Sequence, residues 1–254
     1  MAEQEKVNVE EQDVMRVTEH LKELRNRIIV VVVAFLASVV IAFNYSEGIV
    51  QYLVDIGIRY GYQFVYLTPS ELFMQYVRIA VITGVVIIVP VIFYEVWAFI
   101  RPGLKKNENT IVFIAMLMGL GFFVLGTLFA LYIVVPFMLG FYFNINSIGD
   151  IGTSISVANY ISFLMSNFLC FGVIFELPVV TTLLTQLGLI KYEWLSKFRK
   201  IVIVLIFVIA AIITPPDVVS QLLCAGPMVL LFEVSIQISR VIGLRKKRKE
   251  ESEE

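Results

Sequence analysis

Leu72-Phe-Met-Gln75-Tyr-Val-Arg78-Ile-Ala80-Val-Ile-Thr-Gly84-Val-Val-Ile-Ile-Val-Pro90-Val-Ile-Phe-Tyr-Glu95-Val-Trp-Ala-Phe99 holds only two charged residues, Arg78 and Glu95. As a helix rising about 1.5 Å per residue it is roughly 42 Å long, longer than the ~30 Å hydrocarbon core of a bilayer. It reads as a tilted or projecting membrane span. Thr68-Pro69-Ser70-Glu71 precedes it: Thr68 can cap the helix, Pro69 can take the first helical position, and Glu71 can close a capping box. Ile100-Arg101-Pro102-Gly103-Leu104-Lys105-Lys106 follows, a basic exit.

Working outward, five more apolar segments lie at about 28–43, 110–138, 157–185, 201–213 and 220–239. Threading all six in order, with the N-terminus inside, puts eighteen of the 20 Lys and Arg residues on the inner side. They include Arg16, Lys22, Arg25, Arg27, Arg101, Lys105, Lys106, Lys191, Lys197, Arg199, Lys200, Arg240 and the run 245–249; only Arg59 falls outside, and Arg78 lies within a span. Such an excess of basic residues in short cytoplasmic loops sets orientation. The expected fold is an all-α membrane protein with six transmembrane helices and both termini in the cytoplasm. The composition agrees: 59% hydrophobic and 16% charged, against about 45–50% and about 25% in soluble domains.

The segment 1–15 is acidic and polar, unlike the basic start of a secretory signal, and reads as a disordered tail. Residues 16–243 form the six-helix membrane domain, and 244–254 a charged cytoplasmic tail whose basic half can touch anionic lipid. Val17, Leu21, Leu24 and Ile28 share one helical face, opposite Glu19, His20, Glu23 and Arg27. That stretch should lie at the inner surface. In the outer loop 44–71, Ile49, Tyr52, Leu53 and Ile56 suggest a short interfacial helix followed by an extended piece. Pro90, Pro136, Pro178 and Pro227 should kink four spans into a concave bundle. Ala80/Gly84 and Gly126/Ala130 have the spacing of close helix contacts. The 201–213 span, roughly 20 Å long, must thin the bilayer or hold its polar ends inside the protein. Cys170 and Cys224 both fall in apolar segments and read as buried hydrophobes.

No P-loop, no histidine pair and no metal spacing is present, and the sole histidine is His20. The expectation is a protein that is not an enzyme and carries no cofactor. The informative intramembrane charge is Glu176, in Phe175-Glu176-Leu177-Pro178. An acid near the midplane costs about 2.5–3.5 kcal/mol on insertion scales, so it must face protein or a wet cavity. It is either a proton-, cation- or peptide-contacting group or a buried acid tying helices together. Glu95 and Glu233, nearer the inner ends of their spans, read as structural. Glu23 and Glu108 are acids on a basic surface. A carboxylate pair suits a guanidinium ligand, although residue type alone favours ordinary surface ion pairs.

His20-Leu-Lys-Glu-Leu-Arg25 resembles the N-terminal signature of the TatC family, the multispanning subunit of the twin-arginine protein translocase. Three further segments match in order: Pro90 to Leu104 with Glu108 behind it, Phe171-Gly-Val-Ile-Phe-Glu-Leu-Pro178, and Thr214-Pro-Pro-Asp217-Val-Val-Ser-Gln221. The resemblance covers roughly 15–243. It implies a receptor for twin-arginine signal peptides of folded precursors, working with TatA-type and TatB-type single-span subunits on the proton motive force, with self-association and no nucleic acid. It carries the peptide-binding role onto Glu23, Glu108, Arg25 and Phe99, and intramembrane polar roles onto Glu176, Gln221 and Asp217. One departure is that Asn107 and Asn109 flank Glu108 where the family often has basic residues. The competing reading is a proton-coupled secondary transporter of a small solute with Glu176 as its coupling acid. An intramembrane hydrolase lacks a catalytic set.

Overall fold

The computed structural model of the chain describes residues 2–104, 106–146, 154–214 and 217–253, with side chains outside the description at 2–18, 103, 106–107, 145–146 and 245–253. Lys105, Pro215, Pro216 and the side chains of Lys106, Asn107 and the 245–249 run therefore lie outside the described residues.

The chain is almost wholly helical. Helix α1 runs Ala2–Arg59, α2 Glu71–Ile100, and α3 Lys106–Phe129; a π turn at Ala130–Val134 leads into α4, Val135–Asn146. Then follow α5 Val157–Ile174, α6 Leu177–Gln186, α7 Tyr192–Lys197, α8 Arg199–Ile213 and α9 Val218–Glu253. Two three-residue strands, β1 Gln63–Val65 and β2 Ser154–Ser156, pair in parallel, Phe64 opposite Ile155. Among the described residues five helical stretches are long and apolar enough to cross a membrane: Glu19–Arg59, Glu71–Ile100, Glu108–Asn144, Val157–Gln186 and Val218–Leu244. The expected 201–213 span falls in α8, whose 15 residues extend only about 22 Å.

Several expectations change in detail. The 1–15 segment, read as a disordered tail, continues α1 from Ala2, and 244–253 continues α9. Residues 49–56 are not a separate interfacial helix; they prolong α1 to Arg59, where Gly61 turns the chain at φ 90° into the extended β1. That backbone region is open to glycine at little cost. Helix α2 begins at Glu71 rather than Pro69, with Ser70 at its cap position and no side-chain cap bond. Half of the expected capping box forms: the Glu71 carboxylate accepts from the Leu67 N–H at 2.6 Å and the Thr68 N–H at 3.3 Å. Its other oxygen accepts from Ser156 Oγ at 2.6 Å and Ala158 N–H at 2.9 Å. One carboxylate, 7% exposed, thus fastens the 60–70 loop to the start of α5.

The prolines act in different ways. At Pro178 the helix breaks between α5 and α6, with Phe175 and Glu176 in the turn. Pro136 lies two residues beyond the π turn, a wider winding that absorbs a disrupted hydrogen-bond ladder. Pro90 and Pro227 sit inside unbroken helices.

Two clusters of buried side chains hold the bundle. One joins Val50 and Leu53 of α1, Ile79 of α2, Leu139 of α4 and Tyr160, Ile161 and Leu164 of α5 beside β1. The other joins Met138 and Phe171 with Ile206 and Ala210 of α8 and Met228 and Phe232 of α9. Phe163, Phe168 and Tyr142 pack against both. At Gly126 a Cβ would lie 2.4 Å from the Phe171 carbonyl oxygen, so only glycine lets α3 approach α5 this closely. Ser38 Oγ donates to the Gly84 carbonyl at 3.0 Å, joining α1 to α2 at the small-residue pair singled out above. Around these cores Leu36, Val40, Tyr132, Ile212 and Leu230 are more than half exposed. Long helices with apolar outer faces and internally satisfied backbones are what a bilayer requires of a spanning chain; this is a multi-pass membrane protein.

Candidate functional site

The 20–27 stretch of α1 lies against the end of α2, and their polar side chains meet there. Arg27, one helical turn after Glu23, directs Nε and Nη2 onto Glu23 Oε1 at 3.1 and 2.6 Å. Its Nη1 donates to Glu95 Oε2 at 2.9 Å, and Nη2 also donates to the Ala98 carbonyl at 3.2 Å. Glu23 Oε2 faces the His20 ring, whose Nδ1 is 3.6 Å away. That ring stacks on Phe99, with centroids 4.3 Å apart. An open cavity of about 570 Å3 lies over this cluster, lined by Glu19, Lys22, Glu23, Asn26, Arg27, Val30 and Glu95.

The same turn of α2 reaches α3. Trp97 Nε1 donates to Asn109 Oδ1 at 3.1 Å, and the Arg101 guanidinium lies 5.2 Å from the Trp97 ring centroid. Glu108 sits beside Asn109 in the first turn of α3, half-buried. The end of α2 therefore touches the helix that bears Glu23 through Phe99 and His20, and the helix that bears Glu108 through Trp97 and Asn109. Arg25 is not drawn into this cluster: it is exposed and reaches only the Asn26 Oδ1 at 3.4 Å.

The intramembrane residues are dispersed. Glu176, in the break between α5 and α6, has no hydrogen-bond partner for either carboxylate oxygen among the described residues. It faces α3 at Gly119, where a Cβ would stand 2.8 Å from Oε2 and 2.7 Å from the Phe93 ring. Gln221 Nε2 donates to the Phe207 carbonyl at 3.0 Å, tying α9 to α8. Asp217 precedes α9: Oδ1 accepts from the Ser220 N–H at 2.8 Å and Oδ2 from the Tyr142 hydroxyl at 2.5 Å, while Ser220 Oγ bonds the same Tyr142 oxygen. Burial pushes the Asp217 carboxyl up, but these donors outweigh it and hold it below its ordinary range. Asp217 and Gln221 thus fasten the ends of helices, whereas Glu176 has no close hydrogen bond of this kind among the described residues.

Three members of the α1–α2 cluster were not singled out as site residues from the sequence: Arg27, Glu95 and His20. The four-residue step from Glu23 to Arg27 is a legible ion-pair signal. The Glu95 contact is not legible, because it spans 68 positions. Glu233, expected like Glu95 to be structural, pairs with Arg199 at 2.5 Å.

A family model described as Sec-independent protein translocase protein (TatC) matches residues 19–227. The chain is 36% identical over 237 residues to the Sec-independent protein translocase protein TatC of Desulforapulum autotrophicum, covering 92% of this chain and 87% of that one. It is 39% identical over 238 residues to the TatC of Aquifex aeolicus, covering 92% and 98%. A crystal structure of the twin-arginine translocase receptor TatC superposes with a TM-score of 0.80 at 36% identity, over 88% of this chain and 99% of that one.

Proposed function

Because the chain belongs to the TatC family of Sec-independent protein translocase proteins, we propose that it is the signal-peptide receptor and core subunit of a twin-arginine translocase. It works as a binding protein and not as an enzyme, passing folded precursors across the cell membrane on the proton motive force with TatA-type and TatB-type single-span subunits. In this reading α8 is a short span, the membrane domain 16–243 crosses six times, and both termini are cytoplasmic. The loop-charge pattern supports that orientation. Family membership favours this reading over a small-solute transporter.

The observation that carries the proposal is the open, acid-bearing cavity where α1 meets α2, with Phe99 stacked on the nearby His20 and Glu108 on the neighbouring helix. On the proposed topology it opens to the side where an unexported signal peptide arrives. Arginine pairs seek carboxylates through charge-assisted hydrogen bonds worth about 1.5–3 kcal/mol each. Arg25, exposed one residue from the cavity-lining Asn26, would contact the peptide flank. The test is photo-crosslinking to a twin-arginine signal peptide, with a twin-lysine peptide as control. Glu23→Gln or Glu108→Gln should each weaken capture about tenfold, since about 1.4 kcal/mol is one decade. If the double Gln variant captures the peptide as tightly as wild type at the same salt, the proposal fails.

A further inference from the structure

Among the described residues, Glu23 is gripped closely through one oxygen and only loosely through the other. Both Arg27 donors that reach it, Nε and Nη2, converge on Oε1, and Oε2 is left beside the cavity with the His20 nitrogen 3.6 Å away. Arg27 is itself fixed: four of the five N–H donors a guanidinium offers are engaged, on Glu23, Glu95 and the Ala98 carbonyl. Exposure grades along this chain. The Glu95 side chain is 14% exposed, Arg27 24% and Glu23 35%. The buried end is an anchor, the open end a receiving group. Two carboxylates share one guanidinium here, so one negative charge stays available.

Resting on the receptor reading above, we infer that Arg27 is a positioning residue for peptide recognition: held by Glu95, it aims Glu23 so that Oε2 meets an incoming guanidinium. A planar fork is required, because a lysine ammonium is a point donor and cannot hold one oxygen by two bonds while reaching Glu95 and Ala98. A second consequence is selectivity. A carboxylate fixed in direction favours a directional ligand over a compact cation, so Arg27 sharpens the preference for arginine over lysine.

The test is binding of fluorescent twin-arginine and twin-lysine peptides to the full chain in nanodiscs at one salt concentration. Arg27→Lys and Arg27→Gln should both weaken twin-arginine binding about tenfold and narrow its margin over twin-lysine; Glu95→Gln should weaken it about threefold. Added to Glu23→Gln, Arg27→Gln should cost nothing more, because the group it aims is gone. A merely structural arginine would be rescued by lysine and would act independently of Glu23. Wild-type or tighter binding by Arg27→Gln, retained binding by Arg27→Lys, or multiplying effects of Arg27→Gln and Glu23→Gln would overturn the inference. If Arg27→Gln fails to insert, Glu95→Gln decides, since it leaves the Glu23–Arg27 pair on one helix; unchanged binding there overturns it. A wild-type protein with no preference for twin-arginine removes the receptor reading itself. Sensitivity to Glu23→Gln alone removes only the role of Arg27.

Discussion

Glu176 places a buried carboxylate beside Gly119 with no close hydrogen-bond partner among the described residues, and such a group is retained against a sizeable desolvation cost. The Glu176→Gln variant keeps shape but cannot ionise. We predict normal insertion and signal-peptide capture with reduced export, read by precursor transport into inverted membrane vesicles; full export would reject a titrating role. Asp217 is the opposite case, a carboxylate whose donors hold it below its ordinary range. Its contribution to stability is therefore fully present above the unfolded-chain value of about 3.9 and is lost as pH falls through the lower folded value. Thermal unfolding in detergent should be insensitive to this group at neutral pH and weaken in the acid limb. Asp217→Asn should remove that acid-limb dependence while lowering the melting temperature at neutral pH. At this scale the candidates of the proposed site, Glu23, Phe99 and Glu108, were readable as residue types, and Phe99 stacks on His20 of the helix that bears Glu23. That Asp217 and Gln221 fasten helices was not, because a hydrogen bond to Tyr142 or to the Phe207 carbonyl joins positions with no shared local pattern.

Helix α3 meets α5 through the absence of a side chain at Gly126, with the Phe171 backbone oxygen in the place a Cβ would take. Backbone cannot give way as a flexible side chain can, so Gly126→Ala should cost about 1–3 kcal/mol by overpacking, measured by unfolding in mixed micelles. The same substitution at Gly121, where a Cβ meets nothing within 4 Å, should be neutral. Periodicity and length identified the long helices correctly. They did not show that 49–56 prolongs α1, since a change of axis, not a change of pattern, distinguishes an interfacial helix from a projecting one. The start of α2 shifted for a related reason: Glu71 also serves Ser156 and Ala158, a demand from another part of the chain.

At the scale of the whole molecule, the proposed orientation puts the β1–β2 end outside and the turn before α7 inside. Leu67, 71% exposed, and Lys191, also exposed, are suitable reporters. A Leu67→Cys variant should react with an impermeant thiol reagent from outside intact cells, and Lys191→Cys only after permeabilisation. Labelling of the Lys191 position from outside would overturn the orientation. Helix α8, about 22 Å long, should draw the lipid boundary inward, visible as a thinned bilayer beside α8 and α9 by cryo-EM in nanodiscs; a flat boundary of full thickness there would contradict it. The sequence by itself determined the helical membrane class and the positions of the long apolar helices, and it named candidates for the proposed peptide site, because hydropathy, helical period and charge bias are local quantities summed along the chain. Tertiary structure alone decided that Arg27 joins Glu23 to Glu95, that Glu71 clamps two loops, and that Glu176 lies beside Gly119 of α3. Each of these depends on which side chains from distant segments share a few ångströms, and no local sum contains that distance.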